Sequence, residues 1–293
     1  MKVGLQIVRF DWPGGTSAIA PRLRETAEAA EDAGFSSLWL MDHFLQIPPL
    51  GPEDDPMVEG YNALSFLASV TSRMRLGALV TGATYREPAL LLKSVTSVDV
   101  LSGGRANLGI GAAWFEREAQ ALGLPFPPLK ERFERLEEVL QIAHRMWSGD
   151  RSPYHGTHYT LEEPINSPLP LSQPHPPILI GGSGEQKTLR LVAQYGDACN
   201  FFAADGPEVI WNKLNVLLTH CERLGRDYET IERTALGNTV RVDTPQAVQE
   251  LIEVCKELAK VGVQHIIFSL EDAHSLRPIE TFKREVIPAL AEL

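Results

Sequence analysis

Three groups of residues in this chain have the types and spacing to do chemistry. His43 follows the apolar run Ser37-Leu38-Trp39-Leu40-Met41 and stands beside Asp42. An imidazole exchanges protons near neutral pH, and a neighbouring carboxylate can orient it. Taken alone, His43 is also readable as a hydrogen-bonded structural histidine, because nothing local fixes its tautomer. Gly181-Gly182-Ser183-Gly184 joins a strand pattern to a helix pattern. Freed backbone N–H groups at a helix start suit a phosphate, although a tight strand-to-helix turn needs the same residues. The third group is Thr81-Gly82 with Gly111-Ala112-Ala113, small residues that would let a flat ligand approach two strand ends. Trp114 follows them and could wall a substrate cavity.

Other chemistries find little support. The remaining histidines are scattered, and His155-Gly156-Thr157-His158 lacks acidic or cysteine ligands at metal spacing, so no metal is expected. There is no GxSxG elbow and no Cys/His nucleophile pattern. Cys199, Cys221 and Cys255 are far apart and read as buried small apolar residues, which fits a reducing cytoplasm. A net charge of -11 without a basic block argues against nucleic acid and anionic membranes. No apolar run is long enough for a bilayer. Met1 to Val8 already reads as a strand, so no signal peptide is expected.

The elements that must position these residues alternate. Strands are expected at Val3–Val8, Phe35–Met41, Leu76–Val80, Arg105–Ile110, Pro177–Ile180, Ala198–Phe202, Thr234–Val242 and Val263–Leu270. Helices are expected between them, the clearest at Glu131–Trp147, where apolar residues keep to one face. Strict alternation implies a parallel sheet, and this many units in 293 residues point to an α/β protein, a closed (β/α)₈ TIM barrel. An open doubly wound sheet ranks lower because no GxGxxG follows the first strand. One domain is expected over 1–293, with a proline-rich insertion at about 148–176 that would act as a lid or subunit contact. Leu45 to Tyr61 reads as a surface loop. In a barrel, the strand carboxyl ends would gather Asp42, His43, Thr81, Gly82, Gly111, Gly181, Ser183, Asn200 and Phe202 around one mouth.

The stretches LGALVTGATYREPALLLKSVTSVDVLSGGRANLGIGAAW, WLMDHF and PPILIGGSG resemble the luciferase-like flavin and deazaflavin oxidoreductases, over nearly the whole chain. Leu101-Ser102-Gly103-Gly104-Arg105 followed by LGIG is the most specific part. Within that superfamily the chain most resembles the branch using the deazaflavin coenzyme F420. The resemblance implies a bulge, often with a non-prolyl cis peptide, within Leu79-Val80-Thr81-Gly82 behind the cofactor ring. It also implies Gly111, Ala112 and Ala113 beside the ring, and Gly181, Gly182 and Ser183 on the phosphate. It makes His43 the active-site histidine, with Asp42 orienting it. Sugar-phosphate dehydrogenases of this branch carry a glutamate in a GTGE-like sequence where this chain has Ala112-Ala113-Trp114. A more apolar substrate is therefore expected, with Trp114 and Phe202 on its site.

The implied activity is hydride transfer between coenzyme F420 and a small alcohol or ketone, imine or activated alkene. The alternatives are an FMN-dependent monooxygenase and a non-catalytic flavin- or deazaflavin-binding protein. A homodimer is implied by the family likeness.

Overall fold

The computed structural model describes every residue except Pro49, which falls within the expected loop at Leu45–Tyr61. Eight parallel strands close into a barrel: β1 (Lys2–Ile7), β2 (Ser37–Leu40), β3 (Arg75–Ala78), β4 (Ala106–Gly111), β5 (Ile178–Gly181), β6 (Ala198–Phe202), β7 (Glu232–Val240) and β8 (His265–Leu270). Their spatial order follows the chain, and closure comes from β8 on β1 and β3 on β4. β3 halts at Ala78 and resumes as Thr81–Gly82, paired with Ile110 and Gly111 of β4. The Leu79–Val80 peptide in that break is cis, which places the expected bulge.

Helices cover the outside: α1 (Ile19–Ala33), α2 (Gly60–Val70), α3 (Pro88–Ser102), α4 (Glu116–Leu122), α5 (Leu129–Ser148), α6 (Thr188–Tyr195), α7 (Pro207–Leu224) and α8 (Pro245–Lys260), followed by a final helical run over 277–291. Strands covered on both faces are apolar throughout rather than alternating. Ile110, Ile178, Ile180, Phe201 and Ile266 are accordingly fully buried, each such side chain contributing about 1.5–3 kcal/mol. The short α4 was not anticipated. The proline-rich segment contains a small hairpin, Tyr154–His155 against Thr160–Leu161.

The most family-specific stretch turns out to be structural. Gly103 closes α3 with a left-handed φ of 74°. The Arg105 guanidinium, nearly buried, donates to the carbonyls of Ala68, Thr71, Met74 and Ser102 and to the Thr71 hydroxyl. It thereby satisfies orphan carbonyls at the end of α2. Asp99 accepts from the backbone N–H groups of Leu171 and Ser172 and from the Ser172 hydroxyl, pinning the end of the insertion. Glu31, at the end of α1, accepts from the N–H groups of Ser72, Arg73 and Met74 and fixes the turn into β3.

Burial would raise the Glu31 pKa, but these backbone hydrogen bonds outweigh it and bring it to about 2. A carboxylate depressed in the folded state stabilises above its unfolded pKa, and that stabilisation is lost as pH falls through the folded pKa. Glu31→Gln should cost about 1–2 kcal/mol at pH 7, the scale of hydrogen bonds to a charged group. It should also flatten the fall in stability between pH 4.5 and about 2. Urea unfolding over that range measures it, and an unchanged acid limb would contradict the assignment.

Candidate active site

All eight strands point their carboxyl ends to one mouth, so His43 after β2, Thr81-Gly82 after β3, Trp114 after β4 and Ser183 after β5 share that face. The centre of the site is a residue the sequence did not single out. Glu118, on α4, is completely buried. Its Oε2 accepts from His43 Nδ1 at 3.0 Å and from the Tyr85 hydroxyl at 2.5 Å. Its Oε1 accepts from the backbone N–H groups of Phe44 at 2.6 Å and Leu45 at 3.0 Å. An unpaired buried carboxylate would be costly, and four donors offset that. Burial would raise the Glu118 pKa, but the bonds from His43, Tyr85 and the Leu45 N–H outweigh it and hold it below the ordinary carboxylate value. The Tyr85 phenol is pushed up by burial and by Glu118, so it remains a donor.

This arrangement assigns the histidine tautomer. Nδ1 carries the hydrogen donated to Glu118, leaving Nε2 as the exchangeable position. Nε2 has no protein partner among the described residues, and it is not among the sealed, unsatisfied buried atoms. Trp114 stands edge-on to the imidazole at 5.6 Å and stacks on Phe115 at 5.1 Å, while remaining 58% exposed. Ala113, immediately before it, adopts a left-handed φ of 61°, and its carbonyl accepts from Arg132. That turn brings Trp114 up to the mouth.

Asp42 was expected to orient His43, and the structure corrects this. Its carboxylate is buried and taken by Arg86, with Nη1 to Oδ2 at 2.6 Å and Nη2 to Oδ1 at 2.8 Å. Arg86 also pairs with Glu59, and it lies over the Tyr61 ring at 4.9 Å. Two carboxylates near His43 thus have different partners, and the one adjacent in sequence is the structural one. A side chain extending from a strand end cannot fold back onto its own neighbour as readily as a residue from the next loop can face it.

The small residues meet as expected. Val80 packs on a cluster inside the barrel formed by Trp39, Leu79, Leu179, Ala198 and Ile267. A Cβ added at Gly181 would lie 2.8 Å from a Val80 methyl, and one at Gly111 would lie 3.2 Å from the same methyl. Glycine at both positions lets β4 and β5 close around Val80. Ala112 and Ala113 are half-buried beside it. In the next turn, Gly182 has φ 105°. The Ser183 hydroxyl meets Lys213 Nζ at 2.8 Å, and Lys213 also pairs with Asp205 at 3.1 Å. Lys213 comes from α7, some thirty positions away from the glycines, and no local pattern connects the two. Phe202, at the end of β6, is 55% exposed on the rim. No group of His, Cys, Asp and Glu suited to a metal occurs among the described residues.

The two carboxylates should separate on mutation. Asp42→Asn leaves Arg86 partly unpaired in a buried place, so it should cost about 3 kcal/mol of stability. Glu118→Gln keeps an acceptor but loses the charge, and should lower turnover about 100-fold or more while the fold persists. Denaturant midpoints and steady-state rates on both variants check this. Equal rate losses without destabilisation of the Asp42 variant would reject the division of labour.

Comparison with known proteins accords with this geometry. The family model described as luciferase-like monooxygenase matches residues 1–283. An F420-dependent glucose-6-phosphate dehydrogenase of Kineococcus radiotolerans is 32% identical over 185 residues, covering 62% of this chain and 53% of that protein. One from Amycolatopsis mediterranei is 26% identical over 285 residues, covering 95% of this chain and 80% of that protein. The chain thus spans little more than half the length of the first of these curated relatives. Among solved structures, an F420-dependent secondary alcohol dehydrogenase in complex with an F420-acetone adduct superposes with a TM-score of 0.83 at 19% identity, covering 99% of this chain and 98% of that one. The closed barrel, the glycine-lined mouth around Val80 and the match over 1–283 together place the chain in the luciferase-like monooxygenase family.

Proposed function

We propose that this protein is an F420-dependent oxidoreductase that transfers a hydride between the deazaflavin ring and a small organic substrate. The observation that carries the reading is the pairing of two features at one mouth. One is Val80 packed against Gly111 and Gly181, and the other is a histidine whose Nδ1 is held protonated by a buried carboxylate. The relatives named for coenzyme F420 support the choice of cofactor.

The residues present fit such a group. Gly111 and Gly181 leave room for the Val80 side chain, which a Cβ at either position would meet, so Val80 can sit at the strand ends where the ring would lie. Gly182, the Ser183 hydroxyl and the Lys213 ammonium would hold a phosphate, the last by a charge-assisted bond. When bound, the deazaflavin ring supplies a two-electron hydride acceptor or donor. The protein's own part is proton handling and enclosure. His43 gives or takes the accompanying proton at Nε2. Glu118 keeps the imidazole oriented. Trp114 and Phe202 form the substrate edge, and Asp42 acts by holding Arg86 and the loop after β2. We read 1–293 as one domain. We place it in the cytoplasm, where its three free, buried cysteines would stay reduced. No helix among the described residues is long and apolar enough to cross a membrane.

Absorbance and fluorescence titration of the cofactor-free protein should show tighter binding of coenzyme F420 than of FMN. The reverse preference would favour the monooxygenase reading, which oxygen consumption with reduced FMN would then test. Tight cofactor binding with no turnover of any alcohol, imine or enone would favour a binding protein. Lys213→Met should weaken the deazaflavin about tenfold or more, as for loss of one charge-assisted bond. His43→Ala should reduce turnover about 100-fold while cofactor affinity stays close to native.

The homodimer reading comes from the family likeness, and exposed apolar residues support it. Leu90 and Leu101 of α3 are 60% and 64% exposed, and the insertion that α3 holds adds exposed Ile165, Leu169 and Leu171. A patch of that kind commonly marks an interface. Light scattering should give twice the 32.4 kDa chain mass, and Leu101→Asp should reduce it to one chain. A native mass of one chain would reject the dimer.

A further inference from the structure

A cavity of about 570 Å³ opens at the carboxyl ends of β1, β7 and β8, across the mouth from the Ser183 loop. Its apolar lining is Ile7, Val8, Trp12, Leu50 and Leu270. Gln6 joins it to the site already described. Gln6 lines the cavity, and its amide donates to the Leu79 carbonyl at 3.1 Å, beside Val80. Gln6 thus touches both the cavity and the peptide beside Val80, and the cavity is of a size for a small ligand.

Charge on its wall is uneven. Arg9 is the sole Lys or Arg among the described residues of the lining, and it is engaged by Asp11 through Nε at 2.9 Å and Nη2 at 2.5 Å. The hydrogen bond and charge of Arg9 hold the Asp11 carboxyl below its usual range, so it stays ionised. Glu271 is engaged by Arg241, at 2.8 and 2.6 Å. Asp272 is exposed and accepts neither a hydrogen bond nor an ion pair at its carboxylate among the described residues, although Arg9 and Arg241 lie near enough to act on its charge. It leaves β8 in a left-handed backbone conformation, φ 53°. Aromatic Trp12 and His274 stand near it, 6.4 Å between ring centroids.

We infer that this cavity holds the part of the substrate remote from His43, Trp114 and Phe202, and that it selects small molecules with an apolar body and a cationic amine group, the cation facing Asp272, over anionic ones. The inference rests on the proposed oxidoreductase reading and names its substrate class. An apolar body would lie on Trp12, Ile7 and Leu270. A phosphorylated or carboxylated substrate would meet Asp11, Glu271 and Asp272, with Arg9, already paired with Asp11, the one lysine or arginine among the described lining residues. The wall would thus disfavour a sugar phosphate. The cation–aromatic attraction of Trp12 acts in the same direction as the acids.

Three probes of one size and different charge test it: 2-phenylethylamine (protonated at pH 7.5), 2-phenylethanol and phenylacetate. Affinities are measured by ligand-observed NMR on the native chain and on Asp272→Asn. Asparagine tolerates the left-handed backbone, so the variant removes charge without straining the turn. The amine should bind about fivefold tighter than the alcohol, and phenylacetate about fivefold weaker, the range of a partly exposed charge interaction. Asp272→Asn should bring the amine to the affinity of the alcohol and leave the alcohol unchanged. Raising the salt concentration should shrink the amine's advantage in the native chain.

Charge-independent binding, tighter binding of phenylacetate, an unaltered preference in the variant, or no saturable binding of any probe would each overturn the inference. The same titrations are run with and without coenzyme F420. If the coenzyme fails to bind, the oxidoreductase reading falls, while the charge order in the cofactor-free protein still decides the compartment's selectivity.

Discussion

The mouth of the barrel is organised by one buried carboxylate. Glu118 comes from the helix after β4, and it binds a side chain after β3, a side chain after β2 and two backbone N–H groups after β2. Loops that leave three different strands are thereby tied to a single point. Loops over a barrel are its most mobile parts, and a hydrogen-bonded anion excluded from water is a strong local restraint on them. The same bonds fix the tautomer of His43. Structural order and chemical readiness in this site therefore have one source.

Around that point, the protein keeps its charges separated by function. Asp42, Arg86 and Glu59 form a partly buried ion cluster under the loop after β2, with Tyr61 covering the guanidinium. Lys213 and Asp205 lie at the Ser183 loop, where an anion would be held. Asp11, Glu271 and Asp272 line the opposite wall. A positive end and a negative end across one mouth would orient a ligand pair, a phosphate at one side and a neutral or cationic body at the other. Short-range pairing matters here because exposed charges more than a Debye length apart are largely screened.

Much of the fold was legible because its causes are local. Helix and strand periods, Pro88 at a helix start and Gly103 at a helix end all act within a few residues. Counting the alternating units was enough to expect a closed barrel, and Ala198–Phe202 has the expected bounds. The glycines at 111 and 181 were legible as small residues, but their common neighbour, Val80, was not. The signature around Arg105 was visible, yet its role was not, since the guanidinium satisfies carbonyls from a helix more than thirty residues earlier.

The sequence by itself determined the alternation of strands and main helices, though not α4, together with the apolar strands, the candidate histidine and the glycine-rich turns, because each depends on conformational preferences of neighbouring residues. Only the tertiary structure decided which carboxylate serves which cation. Asp42 adjoins His43 in the chain, but the closed barrel carries Glu118 from 75 positions away to the imidazole and sets Asp42 against Arg86. Lys213 reaches Ser183, and Gln6 reaches the Leu79 carbonyl, for the same reason. Chain proximity fixes backbone geometry, whereas hydrogen-bond partners are fixed by distance in space, which closure of the barrel alone supplies.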